Sequence, residues 1–209
     1  MPCGEKEHII LLPPKGKYLE SPDMLVHELG HAAEYTLRRT QNDDRLLIQH
    51  RLLSETVAHY CQYKYLIHYG SIEQRIGAIG SITKEYLTLQ AVLAAIEYKQ
   101  EIINIENIVE HELLSDFVSL YGKNTVSKIL STYGNRKIAE IYHYFVEPRF
   151  GAFIALRLLD RVDAIKDICV TLPDRPIKET LSGLGLDSDI LLDFSCANDL
   201  IQSFIQGNA

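Results

Sequence analysis

Closely spaced cysteines are missing from this sequence of 209 residues. Its four cysteines, Cys3, Cys61, Cys169 and Cys196, are scattered and form no C-x-x-C pair. That spacing excludes a zinc ribbon and gives no disulfide framework. We interpret the four as buried or incidental thiols in a reducing compartment. The expected localisation is the cytoplasm, and secretion without a cleaved signal is the alternative.

Long apolar runs and an excess of basic residues are missing as well. No uninterrupted apolar segment approaches the length of about 20 residues that spans a bilayer. No cationic segment followed by an apolar one marks a secretory signal at the N-terminus. The net charge is −7, whereas a nucleic-acid partner requires a basic face. We therefore expect neither a membrane nor a nucleic acid as partner.

The most informative segment that is present is His27-Glu28-Leu29-Gly30-His31, which has the pattern H-E-x-x-H. On a helix, residues i and i+4 lie on one face, so His27 and His31 can direct two imidazole nitrogens at a single Zn²⁺. Glu28 follows the first histidine and is close enough to take a proton from a metal-bound water. The competing interpretation is a pair of hydrogen-bonded helix histidines.

The flanking residues predict a helix that begins about one turn before His27 and ends near Arg39. Ser21-Pro22-Asp23 combines a hydroxyl cap, a proline at the first helical position and an acid in the first turn. Apolar residues around the motif predict mostly apolar surroundings for both histidines, where a buried imidazole needs a partner. Those apolar residues are Met24, Leu25, Val26, Leu29, Ala32, Ala33, Tyr35 and Leu37.

A third ligand is expected from a second helix, because a catalytic zinc site takes three protein ligands and keeps one position open. The segment 51–65 predicts a second amphipathic helix, and the polar connection 40–44 lets the chain reverse. An antiparallel pair of helices would bring Glu55 beside the motif, and we take Glu55 as the third ligand. His59 is the competitor, since it lies at i+4 from Glu55 and can bind zinc, orient Glu55 or contact substrate.

Helical periodicity also dominates the rest of the chain. Gly77 and Gly80 indicate a looser stretch before a helix from about Thr83 to Glu101. Pro148 and Gly151 indicate an interruption of a later helix, and helix breaks often mark where backbone approaches a site. We expect a mainly α fold with a small β element near the N-terminus.

Length and composition predict one compact domain with a sizeable core, covering residues 1–209. Hydrophobic residues make up 46% of the sequence and charged residues 23%, which is ordinary for a soluble protein. No internal repeat or convincing domain boundary divides the chain.

Taken together, these segments resemble the catalytic half of the oligoendopeptidase F and thimet oligopeptidase family of zinc peptidases. In that family an extended segment ending in Leu-Leu precedes an H-E-L-G-H helix, as His8-Ile-Ile-Leu-Leu12 does here. A glutamate ligand then follows in an S-E or A-E context, as Ser54-Glu55 does. The resemblance implies a zincin-like helical catalytic domain of gluzincin type. The edge of the 8–12 segment would bind substrate backbone in extended form.

The resemblance returns downstream, in Ile141-Tyr142-His143-Tyr144 with the segment 150–156, and in Leu181–Asp187. Tyr142 and Tyr144 are similar to the family's paired tyrosines. Tyr144 matches the second of them and is the preferred donor to the oxyanion of the tetrahedral intermediate. Packing in the core is the alternative role for these tyrosines.

The substrate side departs from the family pattern. The family's transition-state histidine falls at Arg136, so Arg136 or His143 would have to replace it. Arg149 stands where the family has a glycine after the tyrosine pair. We therefore expect His143, Arg136 and Arg149 to contact substrate, while the residues expected to hold zinc, His27, His31 and Glu55, match the family.

The implied function is that of a zinc-dependent endopeptidase acting on a peptide or protein substrate, with Glu28 as general base. Family members carry a long N-terminal helical region that closes over the cleft, and little precedes the catalytic helix here. We expect either an excised fragment, an open cleft, or a partner chain that supplies the missing wall. The alternatives are a catalytically weak or inactive zinc-binding homologue that binds a peptide or protein, and a purely structural helical domain.

Overall fold

The computed structural model describes residues 7, 8, 10, 22–187 and 197–208, and these residues are mainly helical. The expectation of a mainly α fold is confirmed for this part of the chain. The expected β element falls largely on residues outside it, as do the expected cap Ser21 and the cysteines at positions 3 and 196. None of the helices in the described ranges is long and apolar enough to cross a bilayer.

Short connections join the helices along the chain. A π-helical segment covers Tyr142–Val146, and 3-10 helices cover Asp44–Leu47 and Glu112–Leu114. The α-helices are α1 (Pro22–Arg39), α2 (Arg51–Tyr69), α3 (Ile72–Glu97), α4 (Ile105–Ile108), α5 (Ser115–Tyr121), α6 (Lys123–Ser131), α7 (Ile138–Ile141), α8 (Glu147–Arg157), α9 (Val162–Cys169), α10 (Ile177–Gly183) and α11 (Ala197–Gln206).

The chain divides into two compact units. The first contains residues 1–78 and 151–209, and the second contains residues 79–150. The H-E-x-x-H motif, on α1, and Glu55, on α2, both belong to the first unit. The single domain expected from length and composition stays a prediction.

Helices α1 and α2 pack against each other and run antiparallel. Gln62, late in α2, donates a hydrogen bond of 2.7 Å to Asp23 at the start of α1. Ser54, early in α2, donates one of 2.6 Å to Glu34, three turns further along α1. The expected helix over the motif is confirmed, and so is the reversal of the chain after it.

Gly30, inside the motif, lies at the closest approach of the two helices. A Cβ atom at Gly30 would stand 2.8 Å from the Cα of Ala58 and 3.2 Å from the Cβ of Cys61. Such a distance to backbone cannot be relieved by moving a side chain. Packing against α2 therefore requires glycine at this position, independently of any chemistry at the neighbouring histidines.

Arg38 fixes the end of α1 to the segments around it. Its side chain is 2% exposed, and its guanidinium donates to the carbonyl oxygens of Ile48 at 2.8 Å, Cys169 at 3.2 Å and Leu46. The carboxylate of Glu34 lies 3.7 Å away, one turn earlier on the same helix. A buried charge is tolerated only with partners of this kind.

Apolar packing between α2 and the C-terminal helix α11 also contributes to the first unit. Phe204 of α11 packs on Tyr63 with ring centroids 5.1 Å apart, and Arg75 donates a 2.8 Å hydrogen bond to the carbonyl of Ile205. The buried apolar residues of this unit include Leu52, Leu53, Val57, Leu66, Ile154, Leu156, Leu158 and Ile168.

The second unit has its own hydrophobic core. Two polar contacts accompany it: the Tyr133 and Thr88 hydroxyls lie 2.8 Å apart, and Arg149 forms an ion pair with Glu85. Its buried apolar residues include Leu87, Ala91, Val92, Ile108, Leu114, Val126, Leu130, Ile138, Ile141 and Val146.

Two expected effects of glycine on the helices are wrong. Helix α3 begins at Ile72 and passes through Gly77 and Gly80, because each glycine costs a helix only about 1 kcal/mol relative to alanine. Helix α8 likewise continues through Gly151. The change from π-helix to α-helix falls between Val146 and Glu147, directly before Pro148, so the irregularity expected near Pro148 is present as a change of helix type and not as a break.

We expect Gly30→Ala and Gly77→Ala to change stability in opposite directions. The first forces a methyl group against the backbone of Ala58 and should cost about 1–3 kcal/mol. The second is the matched control, because no atom lies within 4 Å of a Cβ placed there, and it should stabilise by about 0.5–1 kcal/mol. Urea unfolding of both variants measures the difference, and a stabilising Gly30→Ala would contradict the close approach.

Candidate metal centre

The face of α1 that packs against α2 is polar. Asp23, His27 and Glu34 are each less than a tenth exposed, while the apolar Leu29 and Leu37 of the same helix are 48% and 36% exposed. The prediction of mostly apolar surroundings for the motif is therefore wrong on this face. The buried residues, spaced by three or four positions as one helix face requires, are Asp23, His27, Gly30, Glu34 and Arg38.

The Glu55 carboxylate lies between the two histidines of the motif. Its Oε2 atom is 3.4 Å from Nε2 of His27 and 3.8 Å from Nε2 of His31. The expected neighbourhood of these three side chains is confirmed, and their role as ligands stays a prediction. His27 is buried, whereas Glu55 and His31 are partly exposed, so the cluster has one side open to solvent.

His59 belongs to the same cluster. Its ring centroid is 4.4 Å from that of His27, and the distance between the His27 and His31 centroids is 5.0 Å. One ligand atom each from His27, Glu55 and His59 lies within 4.8 Å of the other two, so this group could hold a metal ion. His31, one of the expected ligands, is not a member of this group, and His59 takes its place in it.

Packing of α8 against α2 fixes the backbone that carries Glu55. A Cβ atom at Gly151 would lie 2.9 Å from the Cβ of Glu55 and 2.8 Å from both the carbonyl oxygen of Leu52 and the amide nitrogen of Thr56. Gly151 is therefore a contact residue for the carboxylate-bearing turn, not the helix break that the sequence suggested.

The surroundings of Glu55, His31 and His59 lower the pKa values of all three groups. Burial tends to raise the pKa of Glu55, but the hydrogen bond with His27 and the charges of the nearby histidines outweigh it, so this pKa lies below its ordinary value. Burial lowers the pKa of His31, and burial together with His27 lowers the pKa of His59 to about 3. Neutral imidazole is the form that binds metal ions.

A hydrogen-bonded chain orients His31. Its Nδ1 atom lies 3.0 Å from the Ser54 hydroxyl, which donates its own proton to Glu34 at 2.6 Å. The hydroxyl oxygen therefore accepts from Nδ1–H of His31, which leaves the lone pair on Nε2, the atom that faces Glu55. Burial raises the pKa of Glu34, while Ser54 and Arg38 act in the opposite direction.

Glu28, the expected general base, is partly buried on α1 directly after His27. Its charge acts on His31 in the direction that raises the pKa of that imidazole. The charge of Glu28 therefore acts on the cluster, although Glu28 is not one of the three residues that could hold an ion together.

The other residues expected from the resemblance lie in the second unit. Tyr142 and Tyr144, on the π-helical segment, are 48% and 57% exposed, and the His143 and Tyr144 rings are 4.9 Å apart. The Arg136 guanidinium lies 4.8 Å from the centroid of Phe145. The roles proposed for these residues in catalysis or substrate binding stay predictions.

Arg149, also expected to contact substrate, has a structural partner within the second unit. It pairs with Glu85, which is 6% exposed. Burial raises the pKa of Glu85, and Arg149 opposes that rise. Neutralising a buried carboxylate is thus one role that the structure gives this arginine.

Sequence reasoning missed the residues that support the cluster from outside. These are Asp23, Glu34 and Gln62, all buried and all hydrogen-bonded between α1 and α2. A signal existed, because Asp23, His27, Glu34 and Arg38 repeat at helical spacing. Their polarity concealed it, since a buried helix face is ordinarily recognised by apolar residues.

We expect the metal-free protein to lose stability as the pH falls from about 6.5. The folded pKa of His59, about 3, lies below the ordinary 6.5, so the unfolded chain takes up the proton first. The stability from neutral His59 is fully present above pH 6.5 and is lost progressively toward pH 3. One such proton gives a slope of at most about 1.4 kcal/mol per pH unit.

Urea unfolding in the presence of a chelator, at pH 7.5, 6.5 and 5.5, measures this slope. His59→Asn should flatten the curve, and His68→Asn, which changes an exposed histidine of the same helix, should leave it unchanged. Equal slopes for the wild type and His59→Asn would contradict the assignment of the buried neutral form.

No protein-family model, curated protein or solved structure matches this chain. The site is therefore characterised by its own geometry: the motif on α1, a carboxylate on α2 between two imidazoles, and a third imidazole one turn later.

Proposed function

We propose that this protein is a zinc-dependent peptidase. One observation carries the proposal: the Glu55 carboxylate lies 3.4 and 3.8 Å from the Nε2 atoms of the two histidines in the H-E-x-x-H motif. The three side chains come from two helices and converge, which a chance occurrence of the motif does not require. The sequence resemblance to the oligoendopeptidase F and thimet oligopeptidase family points to the same chemistry.

The donor set suits zinc, and the two distances from Glu55 are close to those of a tetrahedral site. Zn²⁺ binds imidazole nitrogen and carboxylate oxygen at about 2.0–2.2 Å in a tetrahedral arrangement, which separates neighbouring donor atoms by about 3.3–3.6 Å. The His27–Glu55 distance falls in that interval, and the His31–Glu55 distance exceeds it by a few tenths of an ångström. Two imidazoles with one carboxylate also form a ligand set used by catalytic zinc sites.

The chain's own residues would bind the ion, orient its ligands and transfer protons. When bound, zinc would supply a Lewis acid that polarises the scissile carbonyl and acidifies water. His27, His31 and Glu55 would hold the ion, and Ser54 with Glu34 keeps the His31 ring in the required tautomer. Glu28 would accept a proton from the attacking water and deliver it to the leaving amine, as a general base and then a general acid.

The substrate side of the proposal rests on the sequence alone. The resemblance assigns Tyr144, with Tyr142, to the oxyanion and implies a peptide or protein substrate. Arg136 or His143 would have to replace the family's transition-state histidine, and Arg149 stands where the family has a glycine. Substrate preference therefore does not follow from the resemblance.

A second candidate function is that of an inactive zinc-binding homologue that binds a peptide or protein partner. His59 favours this alternative, because a third imidazole beside the cluster offers one more protein ligand than an open catalytic site needs. Glu28 is the residue that distinguishes the two, since only a peptidase requires its proton transfer.

We expect Glu28→Gln to abolish peptide cleavage while leaving zinc content unchanged. Loss of the general base should lower the rate by about 10²–10⁴, and glutamine keeps the size and packing of the side chain. The measurements are metal content after purification and cleavage of a mixed peptide library, with Glu179→Gln, an exposed glutamate of α10, as control. Cleavage by Glu28→Gln at the wild-type rate would refute the mechanism, and zinc without any wild-type cleavage would favour the binding protein.

We also expect Glu55→Ala to lose zinc, because only two protein ligands of the proposed three remain. Its zinc affinity, measured by competition with a chromophoric chelator, should fall at least 100-fold. Wild-type zinc affinity in Glu55→Ala would show that the ligand set is different.

A further inference from the structure

We propose that His59 is a fourth protein ligand of the ion, held in the ligating tautomer by Gln62 and Asp23; this inference rests on the proposed zinc site. The sequence left His59 with several possible roles. Its position on the helix, its ring contacts and its hydrogen-bond partners decide among them.

His59 lies at i+4 from Glu55, so the two side chains leave α2 on the same face. On that face the His59 ring meets His27 at a centroid distance of 4.4 Å, closer than His31 does. Donor atoms of His27, Glu55 and His59 all lie within 4.8 Å of one another. The three side chains are therefore close enough to hold one ion, and His31, which is not in that group, would have to move closer to join them.

The tautomer of His59 follows from a chain of hydrogen bonds. The Gln62 amide nitrogen donates to Oδ2 of Asp23 at 2.7 Å, as it must, because a carboxylate only accepts. The amide oxygen of Gln62 is thereby turned toward Nδ1 of His59, 3.0 Å away. An amide oxygen also only accepts, so Nδ1 of His59 carries the proton. The lone pair is left on Nε2, which is the ligating state.

Burial of Asp23 and Gln62 fixes the orientation of the Gln62 amide in this chain of hydrogen bonds. Asp23 is 7% exposed and Gln62 is 6% exposed, so turning the amide over would leave a buried carboxylate facing an amide oxygen. The equivalent chain on the other side, from Glu34 through Ser54, gives His31 the same tautomer. Two imidazoles from different helices are thus prepared in the same way, which is how proteins orient histidine ligands.

Asp23 has a further connection to the cluster. Its second oxygen, Oδ1, and Nδ1 of His27 are both buried without a hydrogen-bond partner, and the two residues lie one turn apart on the same face of α1. A ligating His27 carries its proton on Nδ1 and needs an acceptor there. The structure shows no hydrogen bond between these two atoms, so support of His27 by Asp23 would need a movement of one of the two side chains.

Four protein ligands change the character of the site. His27, His31, Glu55 and His59 would give the ion four protein ligands, as in structural zinc sites, whereas a catalytic site keeps one position for water or substrate. The inference therefore favours the second candidate function, the zinc-binding protein, and a peptidase with this site would have to release His59 from the ion to admit substrate. His59 would thus strengthen zinc binding and restrict access to the ion.

The test compares zinc dissociation constants, obtained by chelator competition on the full chain. In His59→Asn, the asparagine amide can still donate to Gln62 but has no atom at the position of Nε2. We expect at least 100-fold weaker binding in His59→Asn and about 10–100-fold weaker binding in Gln62→Leu. The double variant should bind no more weakly than His59→Asn, because Gln62 acts through His59. His68→Asn, the exposed control, should bind as the wild type does.

Cobalt(II) gives a readout that a purely structural role of His59 would not change. Its visible absorption bands depend on the number and type of ligands, so His59→Asn should alter the spectrum of the cobalt-loaded protein, whereas His68→Asn should not. Thermal unfolding followed by circular dichroism checks that each variant folds. If His59→Asn does not fold, His59→Gln takes its place, because a carboxamide is a poor zinc ligand.

The outcomes separate this inference from the proposed function. Wild-type zinc affinity and an unchanged cobalt spectrum in His59→Asn would overturn the role of His59. If Glu55→Ala loses zinc in the same experiment, the three-ligand site stands. A wild-type protein that binds no zinc would overturn both.

Discussion

At Gly30 the backbones of α1 and α2 approach so closely that one methyl group would overlap the Cα of Ala58. The arrangement of the candidate metal centre depends on that approach, because His27 and His31 on one helix reach Glu55 and His59 on the other only across a short gap. Gly151 extends the same constraint to a third helix, since α8 packs directly on the turn of α2 that carries Glu55. Two glycines thus fix the positions of three backbones around one carboxylate.

The close approach also buries groups that ordinarily stay in water. Removing Glu34 and Arg38 from solvent is unfavourable, and their 3.7 Å ion pair compensates for it only with the help of further hydrogen bonds. Arg38 obtains these from backbone carbonyls, and Glu34 obtains one from Ser54. The same bond orients His31, so a single set of contacts both satisfies the buried charges and prepares a potential ligand.

The sequence predicted the helix over the motif, the reversal after it and the nearness of Glu55, because each depends on local signals. The cap-like start of α1 and the i, i+4 spacing of His27 and His31 are readable without tertiary information. The polar face was not predicted, since Asp23 and Glu34 find their partners, Gln62 and Ser54, 39 and 20 residues away. Helical spacing alone does not distinguish such a buried acid from a solvated one, because an exposed polar face has the same spacing.

The glycines within helices show the same limit of prediction from a single sequence. Gly77 and Gly151 both lie inside helices, yet the first has no neighbour within 4 Å and the second touches the backbone of α2. Their local sequences do not reveal which is which, because the distinction is made by a different segment of the chain. Helix continuity at both sites depends on packing that outweighs the small cost of glycine.

The buried polar contacts between α1 and α2 also determine how the two helices align along their length. An apolar interface tolerates sliding by a turn, because one methyl group can replace another with little loss of contact. Here the hydrogen bonds Gln62–Asp23 and Ser54–Glu34 lie about two to three turns apart along the two helices. A shift of one helix along the other would break both bonds and leave buried polar atoms unpaired. These two contacts therefore specify one register of the helix pair, much as a buried polar residue does in a coiled coil.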